Sequence, residues 1–147
     1  MDAEQTRAFL LTLPHVVETE QWGNNLVFWV GDKAIGGKMF ALIDLDGEGH
    51  GKISYAAGAE RYAELIEKDG LFPAPYMARI YWIAAERWDI FRNTEWQEEL
   101  RAAHAITLAK LPPKVHRALA LPPKELKQLV EKQTLLREKK AAAKKKA

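Results

Sequence analysis

Two prolines, Pro73 and Pro75, constrain this chain more than any other feature. They keep Leu71-Phe-Pro-Ala-Pro-Tyr-Met-Ala-Arg-Ile-Tyr-Trp82 out of a helix and hold its backbone extended. The same stretch carries four aromatics, Phe72, Tyr76, Tyr81 and Trp82, around one cation, Arg79. It reads in one sense as a proline-kinked crossing onto a sheet edge. It reads in another as a binding surface, because rigid aromatics beside a guanidinium are the usual anchors of recognition.

The flanking segments give the stretch its context. Asp2 with Gln5 forms a capping box, and Thr6, Phe9, Leu10 and Leu13 recur at helical spacing until Pro14 ends the helix. His15 to Gln21 reads as an edge strand, and Trp22-Gly-Asn-Asn25 as a turn. Asn25 to Gly31 and Gly37 to Leu45 are apolar on both faces, the pattern of central strands or of strands at a partner interface. Asp46-Gly-Glu-Gly49 turns the chain into a fourth strand, His50 to Ala56. A second helix runs from Gly58 to Lys68 on the stripe Tyr62, Leu65 and Ile66. Arg79 to Glu86 gives a fifth strand. Thr94 with Gln97 caps a third helix, with Trp96, Leu100, Ala103, Thr107 and Leu111 in period until Pro112-Pro113.

The order α-β-β-β-β-α-β-α, with short turns between strands, predicts an α+β two-layer sandwich. An antiparallel sheet of about five strands would carry its helices on one face. Residues 1–119 form this domain and residues 120–147 a Lys-rich tail. In the tail the phrase Leu111-Pro-Pro-Lys114 returns as Leu121-Pro-Pro-Lys124. The second proline pair starts a weakly amphipathic helix on Leu126, Leu129 and Val130, which frays into Lys139-Lys-Ala-Ala-Ala-Lys-Lys-Lys-Ala147.

Charge follows the same division. Residues 112–147 hold 11 Lys and Arg against 3 Glu, a net of +8; residues 1–111 hold 11 against 17 acids, a net of −6. An acidic body with a basic tail points to a polyanionic partner, or to a tail folded back on the body. There is no cysteine, so disulfides and thiolate metal sites are excluded. The acidic N-terminus is unlike a signal peptide, and no apolar run reaches membrane length. A cytoplasmic protein with no membrane partner is expected.

No reactive constellation emerges. Ser54 is the only serine and lies mid-strand. His15, His50, His104 and His116 are scattered without metal-ligand spacing and read as surface or interface residues. Gly31, Gly36 and Gly37 lack the ending of a phosphate loop. Asp44-Leu-Asp-Gly-Glu48 is a hairpin turn rather than a calcium loop. The pairs Glu98-Glu99 and Glu64/Glu67 read as solvated helix faces. A non-enzymatic protein without metal or cofactor is expected.

Several phrases, taken in order, resemble the MmcQ/YjbR family. They are Leu13-Pro14, Trp22-Gly23, Gly37-Lys-Met-Phe-Ala-Leu42, Pro73-Ala-Pro-Tyr-Met-Ala-Arg79 with Trp82, and Leu111-Pro-Pro-Lys-Val115 running to Leu119. The resemblance spans roughly residues 1–119. It implies a CyaY-like fold, related to the frataxin sandwich, and DNA binding of the double-wing kind with no catalytic activity. Carried over by position, Lys38, Arg79 and Trp82 are the family-like residues to test. The chain departs from the family in having Ile80 and Tyr81 where cations often follow the tyrosine, and in its acidic body.

Two functions are therefore expected. In the first, Lys38, Arg79 and the tail cations Lys139, Lys140, Lys144, Lys145 and Lys146 contact DNA phosphates with little sequence preference. In the alternative, Phe72, Tyr76, Tyr81 and Trp82 form a surface for a protein or small ligand.

Overall fold

A computed structural model describes residues 1–46 and 51–146. Helix α1, Ala3–Leu10, starts where Asp2 accepts the Gln5 backbone N–H at 2.8 Å. Strands β1 (Val16–Gln21), β2 (Asn25–Val30), β3 (Lys38–Asp44) and β4 (Ile53–Ala56) follow as an antiparallel meander. Then come α2 (Ala59–Leu65), β5 (Leu71–Pro73), β6 (Trp82–Ala85), α3 (Asn93–Lys110), α4 (Pro113–Leu119) and α5 (Pro123–Lys146).

The sheet has six strands in the order β1-β2-β3-β4-β6-β5, every neighbouring pair antiparallel. The added strand is the start of the proline stretch. β5 pairs with β6 at the sheet's edge, where Pro73 can sit without its missing N–H breaking a central ladder. The expected strand from Arg79 to Glu86 is correspondingly shorter. Ala78–Ile80 make a 3-10 turn, Tyr81 takes a left-handed conformation, and only Trp82–Ala85 pair. His50, the expected first residue of β4, lies outside the described residues, as does most of the turn before it.

The helices pack on one face. Leu10, Trp96, Leu100, Val115 and Leu119 join Phe28, Ile43, Tyr55 and Ile83 in one buried cluster. A bulge in β3 opposite Phe28 and Trp29 sends both Phe40 and Ala41 into it. Trp96 is its largest member, edge-on to Tyr55, Trp88 and Phe91, with its indole N–H donated to the Trp88 carbonyl at 2.7 Å. Gly37 closes the β2–β3 connection. A Cβ there would lie 1.9 Å from the Gly31 carbonyl oxygen, so only glycine fits.

Three helical details differ from expectation. The cap of α3 is made by Glu95, which accepts the Arg92 N–H at 3.0 Å, in place of the Thr94–Gln97 pairing. Pro113 begins a helix of its own, α4, instead of only ending α3; proline is tolerated in a first turn. The tail is helical through Lys146, because Ala, Lys, Leu, Glu and Gln are all strong helix formers. α5 starts docked, with Leu126 against the core and Leu129 and Val130 half-buried. From residue 134 to residue 145 every side chain is exposed.

Candidate functional site

Among the described residues, no helix lies across the other face of the sheet. By strand alternation its outward positions include Val27 and Trp29 of β2, Met39 and Leu42 of β3, and Ser54 and Ala56 of β4. Trp29 is held over this face by donating its indole N–H to Thr19 at 2.8 Å. Beside β4, the segment after β5 folds back over the sheet. Ala74 donates to the Trp82 carbonyl, Met77 to Ala74, and Trp82 to Met77, at 3.1, 3.1 and 3.3 Å. Trp82 and Ala74 are buried beneath this loop with Ala56 and Ala84, and Phe72 packs against them.

Between the loop and the sheet runs an open trough of about 560 Å³, bordered by Trp22, Asn25, Met39, Asp44, Ser54, Pro75, Tyr76 and Met77. Two of its walls are unusual. Tyr76 has φ 66° and Trp22 φ 50°, left-handed values that bulky residues rarely adopt. Such conformations cost on the order of 1–3 kcal/mol each and persist only where the surroundings impose them. Hydrogen bonds impose them here. The loop bonds just described hold Tyr76, and Asn25 Nδ2 donates to the Trp22 carbonyl at 2.7 Å. Yet Tyr76 is 99% exposed and Trp22 62%, so burial of the rings does not offset the strain.

The four expected aromatics thus separate. Phe72 and Trp82 form structure on the outer face, and Trp82 is a buried support rather than a contact surface. Tyr81 turns to pack edge-on against Tyr62. Of the four, only Tyr76 stands free in solvent. Trp22, Met39 and Ser54 join it at the trough without having been expected there. A tryptophan placed in a Gly-Asn turn was the available signal for Trp22.

The cations share an end of the sheet. The registers Val30 with Lys38, Ala41 with Tyr55 and Ala56 with Trp82 bring the start of β3, the end of β4 and the start of β6 together. Lys38 and Arg79 therefore belong to one end, along with the 3-10 turn Lys33–Ile35 against which α5 packs. Both are exposed and make no ion pair among the described residues. Lys139, Lys140, Lys144 and Lys145 are exposed on the free half of α5, and Lys146 closes that helix.

Acids sit at that end as well: Asp32 caps the 3-10 turn, accepting the Ala34 N–H at 2.8 Å, and Glu60 lies in the first turn of α2, just past the end of β4. Glu18 reaches across to Arg7 of α1, on the helical side. Glu99 of α3 is buried, not solvated as expected, and takes two hydrogen bonds from Arg61 and one from the Tyr55 hydroxyl at 3.2 Å. Burial, reinforced by the Glu99 charge, lifts the Tyr55 hydroxyl well above its ordinary value, so it stays a donor. The bond to Glu99 raises Arg61 as well. Among the described residues, Asp44 is the acid that borders the trough. His104 also departs from expectation. It is buried edge-on to Phe40, its Nε2 2.7 Å from the Pro14 carbonyl, and so serves as a core strut.

Among the described residues no group of three or more His, Asp or Glu is arranged to hold a metal ion, and no helix is long and apolar enough to cross a membrane. The YjbR family model matches residues 11–133, so the match continues into the docked part of α5. The fold resembles the crystal structure of Deinococcus radiodurans protein DR2400, described as a DUF419 domain. That likeness has a TM-score of 0.68 and 22% identity, covering 82% of this chain and 89% of the other. No curated protein matches the chain.

Proposed function

The chain belongs to the YjbR family, and we propose that it binds nucleic acid without catalysing a reaction. Lys38 and Arg79 at one end of the sheet and Lys139, Lys140, Lys144, Lys145 and Lys146 on α5 hold phosphates. Binding of this kind is driven by counterion release and carries little sequence preference. The net acidity of the body counts against binding there, so the lysines of α5, a net positive segment, supply most of the affinity. The observation that carries the reading is the free half of α5, whose exposed lysines extend past the last residues docked on the body.

The test is fluorescence anisotropy of a labelled duplex of about 20 base pairs across a salt series. The full chain is compared with a variant carrying alanine at the five α5 lysines, which keeps the helix. The wild type binds with a steep salt slope. The variant's slope is shallower by about two to four units, at roughly 0.9 for each phosphate no longer neutralised. An unchanged slope rejects the role given to α5. The alternative, a ligand surface along Phe72 to Trp82, narrows to the trough wall at Tyr76.

A further inference from the structure

We infer that the trough on the sheet face opposite the helices takes the base of an unpaired nucleotide, stacked between Trp22 and Tyr76, so that the protein prefers single strands to duplex. The inference rests on the nucleic-acid reading and names the form of nucleic acid bound. Three independent observations converge on it.

The walls are preset for a flat ligand. Two exposed rings are held in strained backbone at the border of one trough, which Met39 and Met77 also line. Strain of this kind clusters where a side chain must be aimed. Every nucleobase has a π-face, so such walls accept a base regardless of its identity.

The trough also presents a polar group that no protein atom occupies. Ser54 is 6% exposed and borders the trough, and its hydroxyl makes no hydrogen bond among the described residues. No fully sealed side-chain polar atom among those residues lacks a partner, so this hydroxyl opens onto the trough. A hydroxyl both donates and accepts, so it suits the mixed edge of a base better than an aliphatic chain.

Charge is divided along the trough: Asp44 borders it at the Asn25 end, and cations stand beyond the Met39 end, where phosphates would lie. The Met39 end of the trough lies beside the end of the sheet that carries Lys38 and Arg79, neither of them ion-paired among the described residues. A strand with one base in the trough has neighbouring phosphates within reach of that end. A duplex keeps its bases stacked inside and cannot insert one without unpairing it. An open sheet face with aromatics is also the arrangement by which other domains read single strands.

The experiment compares a labelled oligothymidylate of about 20 nucleotides with a duplex hairpin of similar charge. Wild type, Tyr76→Ala, Trp22→Ala, Ser54→Ala and the five-lysine variant are titrated as full chains. Tyr76 is fully exposed, so its removal leaves folding intact, and thermal unfolding of each variant checks the others. The wild type binds the single strand about tenfold or more tighter than the duplex, and Tyr76→Ala and Trp22→Ala each weaken the single strand about tenfold while sparing the duplex. The five-lysine variant weakens both forms. Equal binding of the two forms, or a Tyr76→Ala variant indistinguishable from wild type, overturns the trough assignment and leaves the nucleic-acid reading standing. Failure of the wild type to bind either form overturns both.

Discussion

One sheet presents two faces built from alternate residues of the same strands. On the helical face the aromatics are consumed by packing, and the buried Glu99 and the strand acid Glu18 are paired. Trp96 meets three rings, Tyr55 and Arg61 satisfy Glu99, and Arg7 satisfies Glu18. On the outer face Trp22 and Tyr76 stand in solvent in strained backbone, and Lys38 and Arg79 at its end have no ion-pair partner among the described residues. The difference teaches where to look for function. A side chain whose placement costs stability and returns none is being held for something outside the chain.

Substitutions on the two faces test that contrast. Trp96→Ala removes the largest ring of the core and destabilises the fold by about 3–5 kcal/mol in denaturant unfolding. Tyr76→Ala stays within about 0.5 kcal/mol of wild type in the same measurement. If the two costs were similar, the faces would not differ as described. Glu99→Ala leaves the buried Tyr55 hydroxyl without its acceptor. It costs about 2 kcal/mol, discounted because Arg61 is half exposed.

Gly37→Ala forces a methyl against the Gly31 carbonyl and costs about 1–3 kcal/mol, read as a lowered unfolding midpoint. Lys38→Ala and Arg79→Ala each change stability by less than about 0.5 kcal/mol and reduce the salt slope of nucleic-acid binding by about one. The last substitution changes the sign of the effect. Tyr76→Gly relieves the left-handed backbone and raises stability by up to about 1 kcal/mol while weakening single-strand binding. A destabilised Tyr76→Gly variant contradicts the assignment of strain to that residue.

Alkaline titration adds a check on the helical face. Burial next to Glu99 raises the folded-state value of the Tyr55 hydroxyl above its unfolded value. The stability it contributes is fully present below about pH 10 and declines as pH rises above that point. Tyr55→Phe removes this share of the decline.

Much of the fold was legible because its signals are local. Pro14, the Trp22-Gly-Asn-Asn25 turn and the Pro112-Pro113 pair delimit elements wherever the rest of the chain lies. The apolar character of β2 and β3 was legible too, but not its meaning. Val27 and Leu42 look like residues under a second layer of helices; Val27 is indeed fully buried, although among the described residues no helix lies across the outer face. Glu99 and His104 could not be distinguished from surface residues, because their partners Arg61 and Pro14 are distant in sequence. The proline stretch announced its aromatics but not their separation. That follows from the left-handed turns at Tyr76 and Tyr81, which no residue type there foretells. The meeting of Lys38 and Arg79 at one end of the sheet is a property of registers, so only the tail's charge was visible beforehand.

The most direct test is a nitrogen–proton NMR titration of the five tryptophan indole groups with oligothymidylate at low salt. The Trp22 resonance moves on binding, while those of Trp96 and Trp88 on the helical side stay in place. Movement confined to Trp88 or Trp96, or no indole movement under conditions where the oligonucleotide is bound, contradicts the account.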